Sequence, residues 1–118
     1  MSYDIGFKVK VEGVDCWVEP MGCNANITWN VREMIEKSTG LDWLNNDNNG
    51  LCVDVIPHIE HGERELTEYP DKYRQYEAKN GWGTVESTLR FFRWILREWE
   101  YFKASYPELV PVATFWIY

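Results

Sequence analysis

No apolar run in this sequence approaches the ~20 residues that a membrane-crossing helix needs. No basic-plus-apolar leader opens it either. Both absences point to a cytoplasmic protein that makes no contact with a membrane. Cysteine is scarce and odd in number. Cys16, Cys23 and Cys52 show no paired spacing, so they read as reduced thiols rather than a disulfide framework. Basic residues are outnumbered, with 12 Lys and Arg against 19 Asp and Glu, for a net charge of -7. A surface of that sign repels phosphate, which argues against direct nucleic-acid binding. No nucleophile elbow, phosphate loop, dinucleotide fingerprint or metalloprotease helix is present. The expected cofactor set is therefore empty, and the reading leans away from an enzyme. The sequon Asn26-Ile27-Thr28 carries no weight without a secretion signal.

Aromatic residues, in contrast, are abundant: seven Trp and seven Tyr in 118 residues. A core of this size does not hide them all, and exposed aromatics are common in binding surfaces. With no internal repeat, low-complexity tract or linker, residues 1–118 read as a single globular domain.

The dominant stretch is 84–106. Val85, Leu89, Phe92, Leu96, Trp99, Phe102 and Tyr106 recur at spacings of three and four, with Thr88 and Ile95 beside them. That is the helical period, and it predicts one long amphipathic helix with Thr84 as its N-cap and Pro107 as its stop. Upstream, Tyr3, Ile5, Phe7, Val9 and Val11 alternate with polar residues and glycine, which predicts a strand. A turn at Glu12-Gly13 and renewed alternation at Val14, Cys16 and Val18 predict a β-hairpin over 3–19. A further extended segment is read over 23–28. Asn30 with Glu33 looks like a capping box for a first helix ending at Gly40. The Asn-rich run 45–50 reads as a loop, not a calcium site, because no Glu closes it. Residues 51–56 suit a short strand or a helix lead-in equally well, and Pro57 suits a helix first turn. A short helix from Pro70 carries Tyr69, Tyr73 and Tyr76 inward and stops at Asn80-Gly81. Residues 110–118 alternate as a closing strand. The expected fold is α+β: the N-terminal hairpin and the C-terminal strand form a small antiparallel sheet, covered on one face by the helices.

Two short stretches carry a resemblance. Ser2-Tyr3-Asp4-Ile5, followed by Asn26-Ile27-Thr28-Trp29-Asn30, resembles a family of small uncharacterised phage and prophage proteins. Members open with the same four residues and carry an Asn-Ile-Thr-aromatic-Asn segment before a helix. Their later Gly-Asn pair, which starts an Ala/Leu-rich helix, is matched here only by the differently ordered Asn80-Gly81-Trp82-Gly83-Thr84. The resemblance implies a mobile-element origin and a bacterial host cytoplasm, and it brings no activity with it. Asn26 and Asn30 would be the shared polar pair, which a strand end and a helix cap explain without a ligand.

Four groups of residues are candidates for function. His58 and His61 are the only histidines and stand three apart, a weak metal pair with Cys52 and Asp54 nearest. Two solvated histidines on an acidic helix explain them more simply. Gly81 to Thr84 at a helix start is a candidate anion site, and a turn with a cap explains it as well. Glu60, Glu63, Glu65, Glu68 and Asp71 form an acidic segment offset only by Arg64. Such a row can imitate phosphates and occupy a basic groove, although a solvated face is the plainer reading. Arg90, Trp94, Arg97 and Tyr101 follow one another at four, three and four residues, opposite the apolar stripe. These are residue types that dominate binding hot spots.

The expectation drawn from all of this is a non-catalytic phage-derived protein that binds a host protein with a basic surface. It would act as a stoichiometric inhibitor of a host nucleic-acid-handling defence system. The alternatives are a pocket protein holding a nucleotide-like ligand, a small enzyme, or an assembly protein that forms homo-oligomers.

Overall fold

The computed structural model describes residues 2–10, 17–18, 25–41, 50–81 and 83–117. The long helix is present as one uninterrupted element, α4 over Val85–Ser105. Three further helices precede it: α1 over Arg32–Thr39, α2 over Cys52–Glu68 and α3 over Pro70–Tyr73. Single 3₁₀ segments occupy Trp29–Val31, Arg74–Tyr76 and Pro107–Val112. The strands are β1 over Ser2–Lys10, β2 over Trp17–Val18, β3 over Ala25–Thr28 and β4 over Thr114–Ile117. All three short strands pair antiparallel with β1: Val9 opposite Val18, Tyr3 opposite Ile27, and Phe7 opposite Phe115.

The α+β expectation is therefore corrected to a predominantly helical fold. Of the expected hairpin's second strand, Trp17–Val18 are the described residues, paired with Lys10 and Val9. Among residues whose burial is described, every buried hydrophobic one except Ile27, Ala113 and Phe115 lies in a helical segment. The core is the meeting of α1, α2 and α4, joined by Ile27 of β3 and Phe115 of β4. The predicted turn at Glu12-Gly13, the loop at 45–49, Cys16, Cys23 and Trp82 lie outside the described residues.

Local departures have physical causes. Asn30 does not stand at the cap position of α1: it lies within a 3₁₀ turn over 29–31, and Val31 occupies that position. The stop at Gly40 does form, with φ 77 in the left-handed region that glycine tolerates. At 51–56 the helix reading holds, and the strand reading is reduced to an isolated bridge at Leu51. Leu51 is extended and bridges Thr114, and the Cys52 amide donates to the Ala113 carbonyl at 2.8 Å. The helix then starts at Cys52, five residues before Pro57. Pro57 is tolerated inside it because the bond it forgoes would have gone to Val53, on the exposed side. The closing strand starts at Thr114, not at 110, because Pro107 and Pro111 hold the preceding residues in a 3₁₀ turn. Of the three tyrosines placed inward, Tyr73 is buried, Tyr76 half-buried and Tyr69 exposed.

Gly62 explains how closely the helices meet. A Cβ there would stand 2.7 Å from Thr39 Cγ2 and 2.9 Å from Phe92 Cε2. Thr39 cannot swing aside, because its hydroxyl donates to the Ile35 carbonyl at 2.6 Å and accepts from the Leu41 amide at 3.1 Å. Overpacking costs about 1–3 kcal/mol, more than the ~1 kcal/mol of helix propensity that Ala gains over Gly. Gly62→Ala is therefore expected to lower stability, read as a lower urea midpoint at unchanged slope. A more stable variant would mean the three-helix approach is looser than described.

Candidate functional site: the outer face of the long helix

The site begins where α4 begins. The Thr84 hydroxyl accepts from the Ser87 amide at 3.0 Å, and the Ser87 hydroxyl accepts from the Thr84 amide at 2.8 Å, a reciprocal cap. The next free amide, that of Val85, donates to the Glu77 carboxylate at 2.8 Å. The Thr84, Val85 and Ser87 amides at this helix start are thus taken by the chain itself. Glu77 also accepts from Arg74 at 3.1 Å, and Arg74 reaches on to Glu86 with two bonds of 2.9 and 2.8 Å. Arg74 so ties the segment after α3 to the first turn of α4.

That fork holds the Glu86 carboxyl down at about 2. The Arg74 bonds are the main cause, and a bond to its own backbone amide adds to them. A depressed carboxyl contributes stability above its unfolded value and loses it as pH falls towards the folded one. The Glu86 contribution is therefore full above 4.5 and fades between 4.5 and about 2. In urea titrations across that window, wild type and Glu86→Gln should converge as pH falls. A gap that stays constant through the window would show that the fork does not form.

Beyond the first turn, α4 turns one flank inward. Val85, Thr88, Phe91, Phe92, Ile95, Trp99 and Phe102 are buried there, and Trp99 stacks on Phe102 with ring centres 5.4 Å apart. This flank is rotated from the expected stripe. Phe91 replaces Leu89 and Leu96, which are only half-buried.

The opposite flank lines a recess of about 780 Å³. Its described wall is Glu86, Leu89, Arg90, Arg93, Trp94 and Arg97. Three of the four residues expected on this face therefore meet in one concavity: Arg90, Trp94 and Arg97. Tyr101 does not line it and stands 64% exposed beyond it. Trp94 is half-buried, with one side packed on the core. No guanidinium stacks on it among the described residues.

Glu86, Leu89 and Arg93 are the members that the sequence reading did not place on this face. Arg93 lies three residues from Arg90 and four from Arg97, so its helical position was the available signal. It is already engaged: Nε donates to Glu63 at 3.1 Å, and a terminal nitrogen donates to the Thr67 hydroxyl at 3.3 Å. Glu86 is engaged by Arg74. Arg90 and Arg97 are exposed and make no ion pair or hydrogen bond among the described residues.

The acidic segment is not one row. Glu63 is held by Arg93, whereas Glu65 sits on the other flank of α2 and accepts from the Tyr73 hydroxyl at 2.7 Å, with Lys72 at 3.5 Å. The Tyr73 bond is the main reason the Glu65 carboxyl lies below its usual range, and burial pushes the Tyr73 phenol up. The helix ends at Glu68, the backbone turns at Tyr69, and Asp71 belongs to α3, 3.8 Å from Arg74. Only Glu60 and Glu68 remain exposed and unengaged among the described residues.

His58 and His61 do not gather ligands. The His58 Nδ1 donates to the Thr39 carbonyl at 3.1 Å, since a carbonyl can only accept. Cys52 is buried and Asp54 exposed, and no group of three potential ligands occurs among the described residues. No described helix is long and apolar enough to cross a membrane. No family model, curated protein or solved structure matches this chain.

Proposed function

We propose that the protein is a non-catalytic binding protein and that the outer face of α4 is its contact surface for another protein. One observation carries this reading: Trp94 lies in a recess between two exposed, unengaged arginines, on a helix whose other flank is fully used by the core. A rigid aromatic anchor flanked by guanidiniums is the usual make-up of a hot spot. The acidic segment offers less, because Glu63, Glu65 and Asp71 already hold Arg93, Tyr73 and Arg74. A partner suited to α4 presents carboxylates to the arginines, so we replace the basic-surface partner inferred from net charge with an acidic one. The resemblance to small phage proteins supplies the setting, a host protein bound stoichiometrically. Inhibition of a nucleic-acid-handling defence system remains part of the proposal.

The test is affinity capture from a bacterial lysate with wild type and Trp94→Ala side by side. The reading requires a partner that wild type retains and the variant loses. Equal retention by both removes α4 from the contact.

A second reading rests on the size of the recess, which falls within the range of small-molecule pockets. A nucleotide-like ligand could stack on Trp94 and place its phosphates on the arginines. Thermal shift against nucleotides separates the two, since a ligand bound far above its Kd raises the melting temperature.

A further inference from the structure

Arg90 and Arg97 stand two helical turns apart, ~10 Å along the axis, with Trp94 between them. Both guanidiniums are exposed and without an internal carboxylate among the described residues. Of the charged residues that line the recess, Glu86 is paired with Arg74 and Arg93 with Glu63, which leaves Arg90 and Arg97 as its uncommitted cations among the described residues, with the Trp94 indole between them. An occupant must therefore offer two negative groups about 10 Å apart with an apolar group between. A polyphosphate chain places its charges contiguously and leaves one end of the recess unmatched. A helix laid along α4 meets the requirement without distortion, because two of its own turns repeat the same ~10 Å.

Resting on the reading of α4 as a protein-contact surface, we propose that the occupant is an acidic amphipathic helix. Its two carboxylates lie seven residues apart and meet Arg90 and Arg97. A Leu-sized residue between them fills the recess beside Trp94. If the partner helix runs parallel to α4 that residue is the fourth after the first carboxylate; if antiparallel, the third. The chain's own α2 is a poor match. Its unengaged acids Glu60 and Glu68 are eight apart with Arg64 between them, so a second copy does not supply this pattern.

The experiment uses dye-labelled helical peptides of about eighteen residues, long enough to hold a helix on an Ala-rich background. Each carries two glutamates seven apart with Leu at the fourth or the third intervening place. Fluorescence anisotropy is read against the full chain, Arg90→Glu, Arg97→Glu and the double variant, each first checked for an unchanged melting temperature. One of the two peptides is expected to bind, each single reversal to weaken it at least tenfold, and a peptide with lysines for both glutamates to regain binding to the double variant. The inference is overturned if neither peptide binds, or if binding survives both reversals. It is overturned too if AMP occupies the recess in place of a peptide, or if wild type self-associates through the same arginines. If Trp94-dependent capture persists while no peptide binds, only this inference falls. If capture does not depend on Trp94, the broader reading falls.

Discussion

Phe92→Ala is expected to lower the unfolding free energy by about 3–5 kcal/mol, the range for truncating a fully buried Phe. Phe92 is fully buried, it faces Gly62 across the closest approach of α2 and α4, and its ring centre lies 6.1 Å from that of Phe91. Removing it takes away the buried ring and leaves a cavity that Gly62 has no side chain to fill. A single domain is stable by only about 5–15 kcal/mol, so the loss runs from about a fifth of the total to all of it. Urea denaturation should show a large drop in midpoint with little change in slope. A loss under about 1 kcal/mol would mean that α4 does not seat on α2 at this position.

Trp94→Ala should act the other way round, with a modest effect on stability and a large one on binding. The indole is half-buried against the core, so truncation is expected to cost about 1–3 kcal/mol of stability. At a contact surface, the loss of a central Trp costs about 2 kcal/mol or more, roughly a thirtyfold weaker complex. Phe92→Ala and Trp94→Ala thus separate the two flanks of one helix. A variant at position 94 that unfolds as readily as the one at position 92 would place the indole in the core and remove it from the candidate surface.

The two flanks were not equally legible. The period of Val85, Phe92, Trp99 and Phe102 announces the helix, and Thr84 announces its start, because capping and amphipathicity are local properties. Periodicity does not fix where the centre of the buried flank falls. That depends on the neighbour: α2 approaches at Gly62, draws Phe91 and Phe92 inward and leaves Leu89 and Leu96 at the edge. The acidic segment was misread for a related reason. Helical spacing would line Glu60, Glu63, Glu68 and Asp71 along one side, but the turn at Tyr69 separates Asp71, and Arg93 and Tyr73 come from elsewhere to engage Glu63 and Glu65. Long-range pairing of this kind leaves no trace in a short window. The overall class failed by proportion. Alternation at both termini marked strands, yet the apolar faces of α1, α2 and α4 supply most of the described core. The helical period alone puts Arg90, Trp94 and Arg97 on one face, but it does not show that Trp94 also packs on the core.

The most direct measurement compares two variants in one capture assay: Trp94→Ala against Glu60→Lys/Glu68→Lys, which reverses the two acids that hold nothing in the fold. With both variants shown to be folded by circular dichroism, the account predicts that the first loses the partner and the second keeps it. Retention by the first with loss by the second would contradict the account and return the contact to the acidic segment.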